Sequence, residues 1–337
     1  MVTKTNNQPL VSVIVITYNS AKYVLETLES IKKQTYKNIE LIISDDGSND
    51  QTLEICKKWI NKNKKRFVHN ELIPSTINTG IVRNYFRAIR KCRGKYIAQC
   101  AGDDFWTDNN KLLKHVEFLE NNDEYGMVHT NADLYWEDSD KIIRNINNRI
   151  NITDEDIFEE LISKGIFIRP LTVLIKKDCI DNYLKEIDPY RWSIEDYPLF
   201  LYISKHYKVK YFNYSTAVYR RHDNAITLNK HPITRSKLLK GILDIELFFA
   251  RKYCASQKIQ ILAEQKYHRR NIEIAFYDAD YKRAEESFKY LKQHKKLGYK
   301  YLIMFYAAKY VFLRLLILDF MKLKNRLRKL SRKLGIA

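Results

Sequence analysis

The chain has 337 residues, 45% of them hydrophobic, and 59 lysines and arginines against 40 acidic residues, for a formal charge of +19. Glycine and proline are scarce while tyrosine and phenylalanine are abundant, which excludes collagen-like, low-complexity and disordered classes. The length is enough for one large domain or two ordinary ones, each with a sizeable core.

The first two-thirds of the chain alternates apolar, β-branched runs with helical patterns. Residues 10–17 (LVSVIVIT) form a nearly continuous apolar run, as in a strand buried on both faces. Strands are predicted at 10–17, 39–44, 67–72, 96–100 and 126–130, and helices at 23–33, 52–60, 79–92 and 112–119. This alternation predicts an α/β fold built from βαβ units, with a doubly wound, Rossmann-like, mostly parallel sheet.

The excess positive charge lies at the C-terminal end. Residues 1–230 carry +3 and residues 231–337 carry +16, and from about residue 236 the pattern is helical almost without a break. We therefore predict an N-terminal tail (1–9), an α/β domain (10–230, with halves at about 10–135 and 136–230) and a basic helical C-terminal region (231–337).

Cysteine usage and hydropathy bear on the cellular compartment. Five cysteines form no Cys-x-x-Cys pair, which is typical of reduced thiols in an intracellular protein. The polar N-terminus leads directly into a strand, and no run of about eighteen uncharged apolar residues occurs. Neither a signal peptide nor a conventional transmembrane helix is expected.

Polar clusters follow three of the predicted strands. They are Thr17-Tyr18-Asn19 after the first strand, Asp45-Asp46 after the second, and Asp103-Asp104 after the strand ending near Cys100. In an open α/β sheet, ligands bind beyond the carboxyl ends of the strands. Adjacent carboxylates there repel one another unless a cation such as Mg²⁺ or Mn²⁺ offsets them. A turn ahead of a helix is the alternative interpretation for Asp45 and Asp46.

Two long segments carry a family resemblance. The segments VSVIVITYNSAKYVLETLESIKKQTYKNIELIISDDGSND and NTGIVRNYFRAIRKCRGKYIAQCAGDDFWTD resemble the family 2 glycosyltransferases of the GT-A fold. The similarity is densest to bacterial non-processive members that assemble surface polysaccharides. It is strong over residues 10–135, readable to about 227, and does not clearly extend over the helical region.

The resemblance implies a site for a nucleotide-sugar donor, with a UDP-sugar expected. The residues at matching positions are Thr17, Tyr18 and Asn19 beside the nucleotide, Asp46 at the uracil ring with Asp45 next to it, and Arg83 facing the nucleotide. The Asp103-Asp104 pair matches the family's metal motif, with Asp104 as the expected ligand of Mn²⁺ or Mg²⁺. Ala101 stands where the commoner Asp-x-Asp-Asp form has its first acid, so a contact from that carboxylate is in doubt.

The resemblance also implies a catalytic base that takes the proton of the attacking acceptor hydroxyl. Asp196, in the segment WSIEDYPL, matches that base, and Glu195 is the alternative. Acidic residues also favour helix N-termini, so the pair could simply open a helix. Trp106 and Trp192, near the two motifs, could stack on sugar rings or belong to the core.

A basic segment at residues 219–224 resembles a loop that closes over the diphosphate in related enzymes. The resemblance implies that His222 completes the metal shell, with a surface position as the alternative. Arg220 or Arg221 would then neutralise the charge of the leaving group.

Residues 299–337 combine aromatic and aliphatic residues with a strongly basic second half. Lys309, Arg314 and Asp319 interrupt the apolar stretch and make a membrane-spanning helix costly. The pattern suits a helix lying on an anionic membrane surface. Packing on the catalytic domain or in a homodimer is the alternative, and nucleic acid is not expected because no recognised module accompanies the charge.

Together these features predict an inverting, metal-dependent glycosyltransferase of the hexosyl or N-acetylhexosaminyl type. It would act on a glycan or lipid-linked acceptor, in the cytoplasm, at the inner face of the cell membrane. A processive synthase is disfavoured because no Gln-x-x-Arg-Trp segment follows the base, and a sugar-nucleotide pyrophosphorylase because its Gly-rich loop is absent. A catalytically inactive scaffold of the same fold is the alternative, and Ala101 is its only support.

Overall fold

A computed structural model describes residues 8–149, 157–222 and 232–333. The chain divides into two compact units, Met1–Leu228 and Asn229–Ala337. Where the structure describes them, the first unit is α/β and the second is helical. None of the five cysteines forms a disulfide: Cys254 is exposed and the other four are buried.

The first unit is built around one sheet. Its strands are β1 (Val11–Thr17), β2 (Ile39–Asp45), β3 (His69–Pro74), β4 (Tyr96–Gln99), β5 (Phe105–Trp106), β6 (Tyr125–Trp136), β7 (Lys141–Ile143), β8 (Leu174–Lys176) and β9 (Lys208–Arg221). Its helices are α1 (Val24–Lys32), α2 (Thr52–Asn63), α3 (Ile81–Ile89), α4 (Lys111–Glu120), α5 (Phe158–Lys164), α6 (Lys177–Glu186) and α7 (Asp196–His206).

The strand order is β3-β2-β1-β4-β8-β6-β9-β5, with β7 paired to β6. The four strands β3, β2, β1 and β4 are mutually parallel. Beyond β4 the sheet is mixed: β8 is antiparallel to both its neighbours, β6 and β9 are parallel, and β5 and β7 are antiparallel. The predicted α/β fold is confirmed. Four of the five predicted strands form the parallel portion, and the strand predicted at 126–130 is part of β6 in the mixed portion.

Burial on both faces explains the continuous apolar runs of the central strands. In β1 and β2, Val13, Ile14, Leu41 and Ile42 have no exposed surface. Such strands lack alternation because helices cover both sides of the sheet. In α1, Val24, Leu28 and Ile31 lie on one buried face, as their spacing predicts.

The parallel order creates a switch point between β1 and β4. Strand β1 pairs with β2 on one side and β4 on the other, with Thr17 opposite Asp45 and Ile14 opposite Gln99. The carboxyl ends of these strands therefore meet at one edge. Ligands of open α/β sheets bind outside such a point.

The helix predicted at 79–92 is shorter in the structure, because α3 begins at Ile81. Thr79 and Gly80 instead form a loop whose backbone N–H groups donate to the Asp46 carboxylate. Gly80 has a φ of 90°, a left-handed value that a helix cannot contain.

The second unit consists, in its described part, of α8 (Pro232–Lys252), α9 (Gln257–Asp278), α10 (Tyr281–Gln293), α11 (Tyr299–Lys309) and α12 (Val311–Lys333). Ala275, Ala284, Phe305 and Ala308 form a small core between α9, α10 and α11. The tail from 299 onward is therefore two helices, separated at Tyr310, and the first of them packs within the unit. Among the described residues, no helix combines the length and apolar character needed to cross a membrane.

Candidate active site

The loops after β1 and β2 form one hydrogen-bonded unit. Ser48 donates from its backbone N and its Oγ to the Asp45 carboxylate, at 2.9 and 2.5 Å, and Thr17 Oγ1 donates to the same group at 3.2 Å. Asn19, with a φ of 50°, accepts from the backbone of Asn49 and donates its own N–H to Ser48 Oγ. Asp45 is therefore fully engaged in shaping the turn, which agrees with the alternative interpretation of that residue.

Asp46 connects this turn to the loop before α3. Its carboxylate is 3% exposed and accepts hydrogen bonds from Thr79 N, Thr79 Oγ1 and Gly80 N at 2.9, 2.6 and 2.8 Å. Gly47 permits this approach, because a Cβ on it would lie 2.7 Å from the carbonyl carbon of Ile77. The side chain of Tyr18 stands 46% exposed at the same edge. The loops after β1 and β2 and the loop before α3 thus form one hydrogen-bonded surface, here called the floor, on which the ring of Tyr18 is exposed.

Helix α3 carries two arginines, and the less exposed one, Arg87, stabilises the floor. Arg87 donates to Ser44 Oγ and to the Asp45 carbonyl at 3.1 and 2.7 Å. Arg83, the residue expected at the nucleotide, is exposed, and its guanidinium carbon lies 5.4 Å from the ring centre of Tyr190. Arg83 thus links α3 to the turn that precedes Glu195.

The acidic motif follows β4 at the switch point. Gly102 brings this loop against β1, since a Cβ there would lie 2.7 Å from Thr17 Cγ2. Thr27 Oγ1 of α1 donates to the Asp104 carbonyl at 2.6 Å. The next residues form β5, which pairs with β9. Contacts with β1, α1 and β9 therefore fix the loop of the acidic motif.

Asp103, Asp104 and His222 come together in this loop. Asp104 is 4% exposed, and its Oδ1 accepts from the backbone N of Arg220 at 2.8 Å. His222 Nε2 lies 3.0 Å from Asp103 Oδ2, and its ring centre lies 4.7 Å from that of Tyr23, with the ring planes tilted by 39°. Burial, reinforced by the charge of Asp103, raises the pKa of Asp104 well above its usual range. A cation would relieve that cost.

This donor set suits Mn²⁺ or Mg²⁺ bound together with a diphosphate. The donor groups are the carboxylates of Asp103 and Asp104 and the imidazole of His222. Mg²⁺ commonly binds one or two protein carboxylates and completes its coordination shell with phosphate oxygens and water. In the described ranges, no group of three or more His, Cys, Asp or Glu side chains is arranged to hold a metal ion alone. The Asp103 and Asp104 carboxylates match the one or two protein ligands that Mg²⁺ commonly takes beside a diphosphate.

The segment expected to be a loop at 219–224 begins as strand. Tyr219, Arg220 and Arg221 pair with Leu134, Tyr135 and Trp136 as the end of β9. That pairing, which is parallel and non-local, overrides the local loop pattern. His222 follows the strand, and positions 223 and 224 of the motif lie outside the described residues.

The guanidinium group of Arg220 stabilises the loop of the acidic motif and does not face an open pocket. Its guanidinium donates to Glu26 at 2.5 Å and to the Asp103 carbonyl at 2.9 Å. Three aromatic rings, those of Tyr23, Phe105 and Tyr135, lie within 4.9 to 5.5 Å of its guanidinium carbon. Arg220 thereby ties α1 and β9 to the acidic motif.

Glu195 and Asp196 stand at the start of α7. Glu195 occupies the N-cap position and is 6% exposed, and Asp196 is the first helical residue. Asp196 Oδ1 accepts from the backbone N of Tyr197 at 2.6 Å. Burial raises the pKa of both carboxyl groups, and the charge of Asp196 adds to the rise at Glu195. The pair does open a helix, and it also has the raised basicity that a proton acceptor needs.

The two tryptophans differ in their surroundings. Trp106 is 4% exposed and donates from Nε1 to the Leu171 carbonyl at 2.9 Å, so it belongs to the core. Trp192 is partly exposed, and the Arg191 guanidinium carbon lies 4.6 Å from its ring centre.

One residue of the site escaped sequence reasoning. Arg169 precedes a short turn, Pro170–Thr172. Burial raises the pKa of Asp104 and of Asp196, and the charge of Arg169 offsets part of each rise. Its only signal in the sequence is its position as a lone cation in the apolar run 165–175. Its charge thus acts on two acidic groups that are far apart in sequence.

The chain is similar to known proteins over most of its length. The model of glycosyl transferase family 2 matches residues 12–182. The chain is 30% identical to the UDP-Glc:alpha-D-GlcNAc-diphosphoundecaprenol beta-1,3-glucosyltransferase WfaP of Escherichia coli, over 69% of this chain and 86% of WfaP.

Solved structures share the fold at low sequence identity. TarS of S. aureus, in complex with UDP-GlcNAc, is 16% identical with a TM-score of 0.56, covering 79% of this chain and 83% of the TarS chain. The mannosyltransferase PcManGT from Pyrobaculum calidifontis, in complex with GDP-Man and Mn²⁺, is 17% identical with a TM-score of 0.58, covering 92% and 87%.

Proposed function

Because the chain belongs to glycosyl transferase family 2, and is a GT-A-type glycosyltransferase acting on nucleotide sugars, we propose that it is an inverting, metal-dependent enzyme. Its donor is a UDP-sugar carrying a hexose or N-acetylhexosamine. Its acceptor is a glycan or lipid-linked sugar of a bacterial surface polysaccharide. The name of WfaP, whose acceptor is a diphosphoundecaprenol-linked sugar, supports that acceptor class.

The observation that carries this proposal is the buried Asp104 beside Asp103 at the switch point. A carboxyl group that burial and a like charge make costly to ionise is well placed for a divalent cation. Asp104, with Asp103 and His222, would hold Mn²⁺ or Mg²⁺, which supplies Lewis-acid stabilisation of the departing diphosphate.

The nucleotide binds along the floor formed by the β1 and β2 loops. Tyr18 offers an exposed ring beside the uracil and ribose, with Thr17 and Asn19 shaping the strand end. Asp46 supplies the carboxylate expected at the uracil ring, and Asp45 maintains the turn that presents it.

Asp196 acts as the base. It removes the proton of the acceptor hydroxyl as that oxygen bonds to the anomeric carbon, while the bond from this carbon to the diphosphate oxygen breaks on the opposite face. One in-line displacement inverts the anomeric configuration. Burial and the charge of Asp196 raise the pKa of Glu195 to about 8, so Glu195 holds its proton near neutral pH and Asp196 is the carboxylate that accepts one.

The helical unit brings the enzyme to the inner face of the cell membrane. Phe312, Leu316 and Phe320 are exposed at four-residue intervals along α12, so they form one apolar stripe. The sequence beyond Leu323 is strongly basic. An apolar stripe followed by lysines and arginines favours an anionic lipid surface.

The decisive experiment measures nucleotide binding with and without metal. Thermal unfolding is followed with UDP or GDP, each with and without Mn²⁺, for wild type, Asp104→Asn and the control Asp108→Asn. Asp108 is a nearby acid that follows β5 and pairs with Lys114. UDP at a hundredfold its Kd with Mn²⁺ should stabilise wild type by about 2.7 kcal/mol, and Asp104→Asn should lose the metal-dependent part.

Hydrolysis of UDP-sugars in the presence of Mn²⁺ then separates an enzyme from an inactive scaffold. Slow, metal-dependent release of UDP by wild type and by Asp108→Asn, and none by Asp104→Asn, is the expected pattern. Equal binding of UDP with and without Mn²⁺ would contradict the proposed metal dependence. Stabilisation by GDP but not by UDP would contradict the proposed UDP-sugar donor.

A further inference from the structure

Helix α3 is tied to the floor along one side. Just before the helix, the backbone N–H groups of Thr79 and Gly80 donate to the Asp46 carboxylate. Within the helix, Asn84 Oδ1 accepts from Ser44 Oγ at 2.6 Å, and Asn84 Nδ2 donates to the Ser44 carbonyl at 3.1 Å. Helix α3 is therefore fixed to the loops on which the nucleotide is proposed to bind.

Another side of α3 converges on one aromatic ring, that of Tyr190. The guanidinium carbons of Arg83 and Arg90, which are both exposed, lie 5.4 and 5.5 Å from the centre of this ring. Arg90 Nη2 also donates to Tyr190 Oη at 2.5 Å, and the buried ring of Phe86 meets the Tyr190 ring edge-on, with 6.2 Å between centres. Residues at this spacing of three and four share one side of a helix, so two turns of α3 contact Tyr190.

Tyr190 lies in the segment that leads to the candidate base. It belongs to the short turn Pro189–Arg191, and its backbone N donates to Asp188 Oδ1 at 3.0 Å. Helix α7 begins at Asp196, so only residues 192–195 separate the turn from the helix. A connection this short spans few ångströms per residue. The position of the turn therefore constrains the position of Asp196.

A separate set of buried rings holds the body of α7. The ring of Phe86 stacks on that of Tyr183 in α6 at 6.3 Å, and the Tyr183 ring meets that of Tyr202 in α7 at 5.5 Å. All three residues are buried. These contacts do not involve Tyr190, so we expect the unit to fold without the Tyr190 ring. The start of α7, in contrast, is reached through the turn that Tyr190 anchors.

We propose that Tyr190 is a positioning residue, which fixes residues 189–196 against α3 and thereby sets the distance of Asp196 from the floor. The proposal rests on the proposed function, in which Asp196 takes the acceptor proton and the floor holds the nucleotide. Helix α3 is the common support, because it contacts the floor along one side and Tyr190 along another. Small displacements of a catalytic group lower the rate strongly, since the reacting atoms must be held at near-attack distance.

The test separates catalysis from donor binding in the full chain. Release of UDP from UDP-glucose or UDP-GlcNAc with Mn²⁺ measures kcat, with water in place of the acceptor hydroxyl, and calorimetry measures the affinity for UDP with Mn²⁺. Tyr190→Leu should lower kcat by about tenfold to a hundredfold and leave the affinity for UDP unchanged. Tyr190→Phe keeps the ring and loses only the hydroxyl, so its kcat should lie between those of Tyr190→Leu and wild type.

Two further variants test the contact with α3. Arg90→Gln removes the donor to Tyr190 Oη, so its effect on kcat and that of Tyr190→Phe should not add in the double variant. Tyr214→Leu is the matched control, because Tyr214 of β9 has the same kind of cation contact, with Lys114 Nζ 5.1 Å from its ring centre. It should keep the wild-type kcat. Losses that multiply in the double variant would contradict a shared path through α3.

Amide hydrogen exchange measures the hold on the segment without the reaction. Tyr190→Leu should speed exchange in residues 189–197, because local opening of this segment becomes easier. Thr79 and Gly80 should stay as protected as in wild type, since their N–H groups donate to Asp46. Faster exchange throughout the unit would indicate a general loss of stability and would contradict a local positioning role.

The outcomes distinguish this inference from the proposed function. A folded Tyr190→Leu variant with wild-type kcat overturns the inference, and so does a loss of UDP affinity as large as the loss of kcat. If Tyr190→Leu does not fold, Tyr190→Phe and Arg90→Gln are judged by the same criteria. Wild type that releases no UDP from either sugar nucleotide would refute the proposed donor, and exchange in residues 189–197 would then decide the role of Tyr190 alone.

Discussion

At the scale of the residue, the site places ionisable groups where water is scarce. Asp104 and Glu195 are almost wholly buried, and each has a second carboxyl group beside it. Burial and like charge both favour the protonated form of an acid. Such groups bind cations or protons more readily than exposed acids do, which is the property that a metal ligand and a catalytic base require.

The two carboxyl groups at the start of α7 can be told apart by substitution. Asp196→Asn should lower kcat by about two to four orders of magnitude and leave the affinity for UDP with Mn²⁺ unchanged, because it removes the proton acceptor and not a donor contact. Glu195→Gln should keep most of the transfer rate. Steady-state kinetics with a saturating acceptor measure both effects.

Asp178→Asn is the matched control, since Asp178 is an exposed acid in the first turn of α6. It should behave as wild type. If Asp196→Asn retained full activity while Glu195→Gln lost it, the base would be Glu195.

Lys111 makes folding stability depend on pH. The side chain has no exposed surface, lies 4.4 Å from the ring centre of Trp106, and burial lowers its pKa from 10.5 to about 7. Between those two values the unfolded chain holds the proton and the folded chain does not. Stability therefore rises with pH from about 7 to 10.5, and below 7 the full cost of the buried charge is present.

Lys111→Met should thus stabilise the protein at pH 7, on the order of 3 kcal/mol, and the advantage should shrink toward pH 10. Urea unfolding at pH 7, 8, 9 and 10 measures the difference. Lys58→Met removes an exposed lysine of α2 and should leave the pH dependence of wild type intact. A constant difference between Lys111→Met and wild type at all four values would show that the amine is not neutral in the folded state.

At the scale of the element, the acidic loop is positioned by close backbone approach. It joins β4 to β5, lies against β1 at Gly102, and is tied to α1 and β9 by Arg220. These contacts bring the floor formed by the β1 and β2 loops next to the Asp103-Asp104 pair. A side chain inserted at the closest point should separate them.

Gly102→Ala tests this arrangement. The added Cβ would lie 2.7 Å from Cγ2 of Thr17, the last residue of β1, and 3.2 Å from Cβ of Ser20 in the connection to α1. We expect a loss of about 1–3 kcal/mol in the free energy of unfolding and weaker binding of UDP with Mn²⁺. Chemical denaturation and calorimetry measure the two quantities.

Gly298→Ala is the control, because its added Cβ meets only Tyr301 Cδ2, at 3.9 Å. It should bind UDP as wild type does. Wild-type stability and affinity in Gly102→Ala would mean that the loop moves without cost.

At the scale of the whole molecule, the charge separates into two parts with different roles. The α/β unit concentrates acidic residues at its ligand edge, while the C-terminal 107 residues hold +16 of the +19. Basicity therefore says little about the chemistry of the site. Under the membrane proposal, it determines where the enzyme works, through the exposed stripe and basic end of α12.

The stripe on α12 should determine binding to lipid. Wild type should cosediment with vesicles containing phosphatidylglycerol and should not bind vesicles of phosphatidylcholine alone. The triple substitution Phe312→Ser, Leu316→Ser and Phe320→Ser should abolish this cosedimentation. Added salt should weaken wild-type binding, since part of it is electrostatic. Removing α11 as well would expose the buried Phe305, so point substitutions are the cleaner change.

The control replaces two exposed apolar residues of the α/β unit, Val68→Ser and Ile77→Ser. It should cosediment as wild type does. Equal vesicle binding by the α12 variant would refute the membrane proposal, and a change in its oligomeric state by light scattering would favour the homodimer.

The amino-acid sequence by itself determined the parallel half of the sheet, its acidic loops and the helical C-terminal unit. Strands buried on both faces must be continuously apolar, and the polar residues that follow them are contiguous, as in Asp45-Asp46 and Asp103-Asp104. From about residue 236 the C-terminal region has a nearly uninterrupted helical pattern with no strand-like run. These signals are local, so they can be read without knowing which segments pair.

Only the tertiary structure decided what lies opposite these loops. β5 has two residues and β8 has three, too few to show a period. Arg220 meets Asp104 across 116 positions of sequence, and its backbone pairing converts an expected loop into a strand. Arg169 becomes part of the site only because the turn after it hydrogen-bonds to Trp106. Contacts that join distant segments depend on packing of the whole sheet, and no local pattern encodes them.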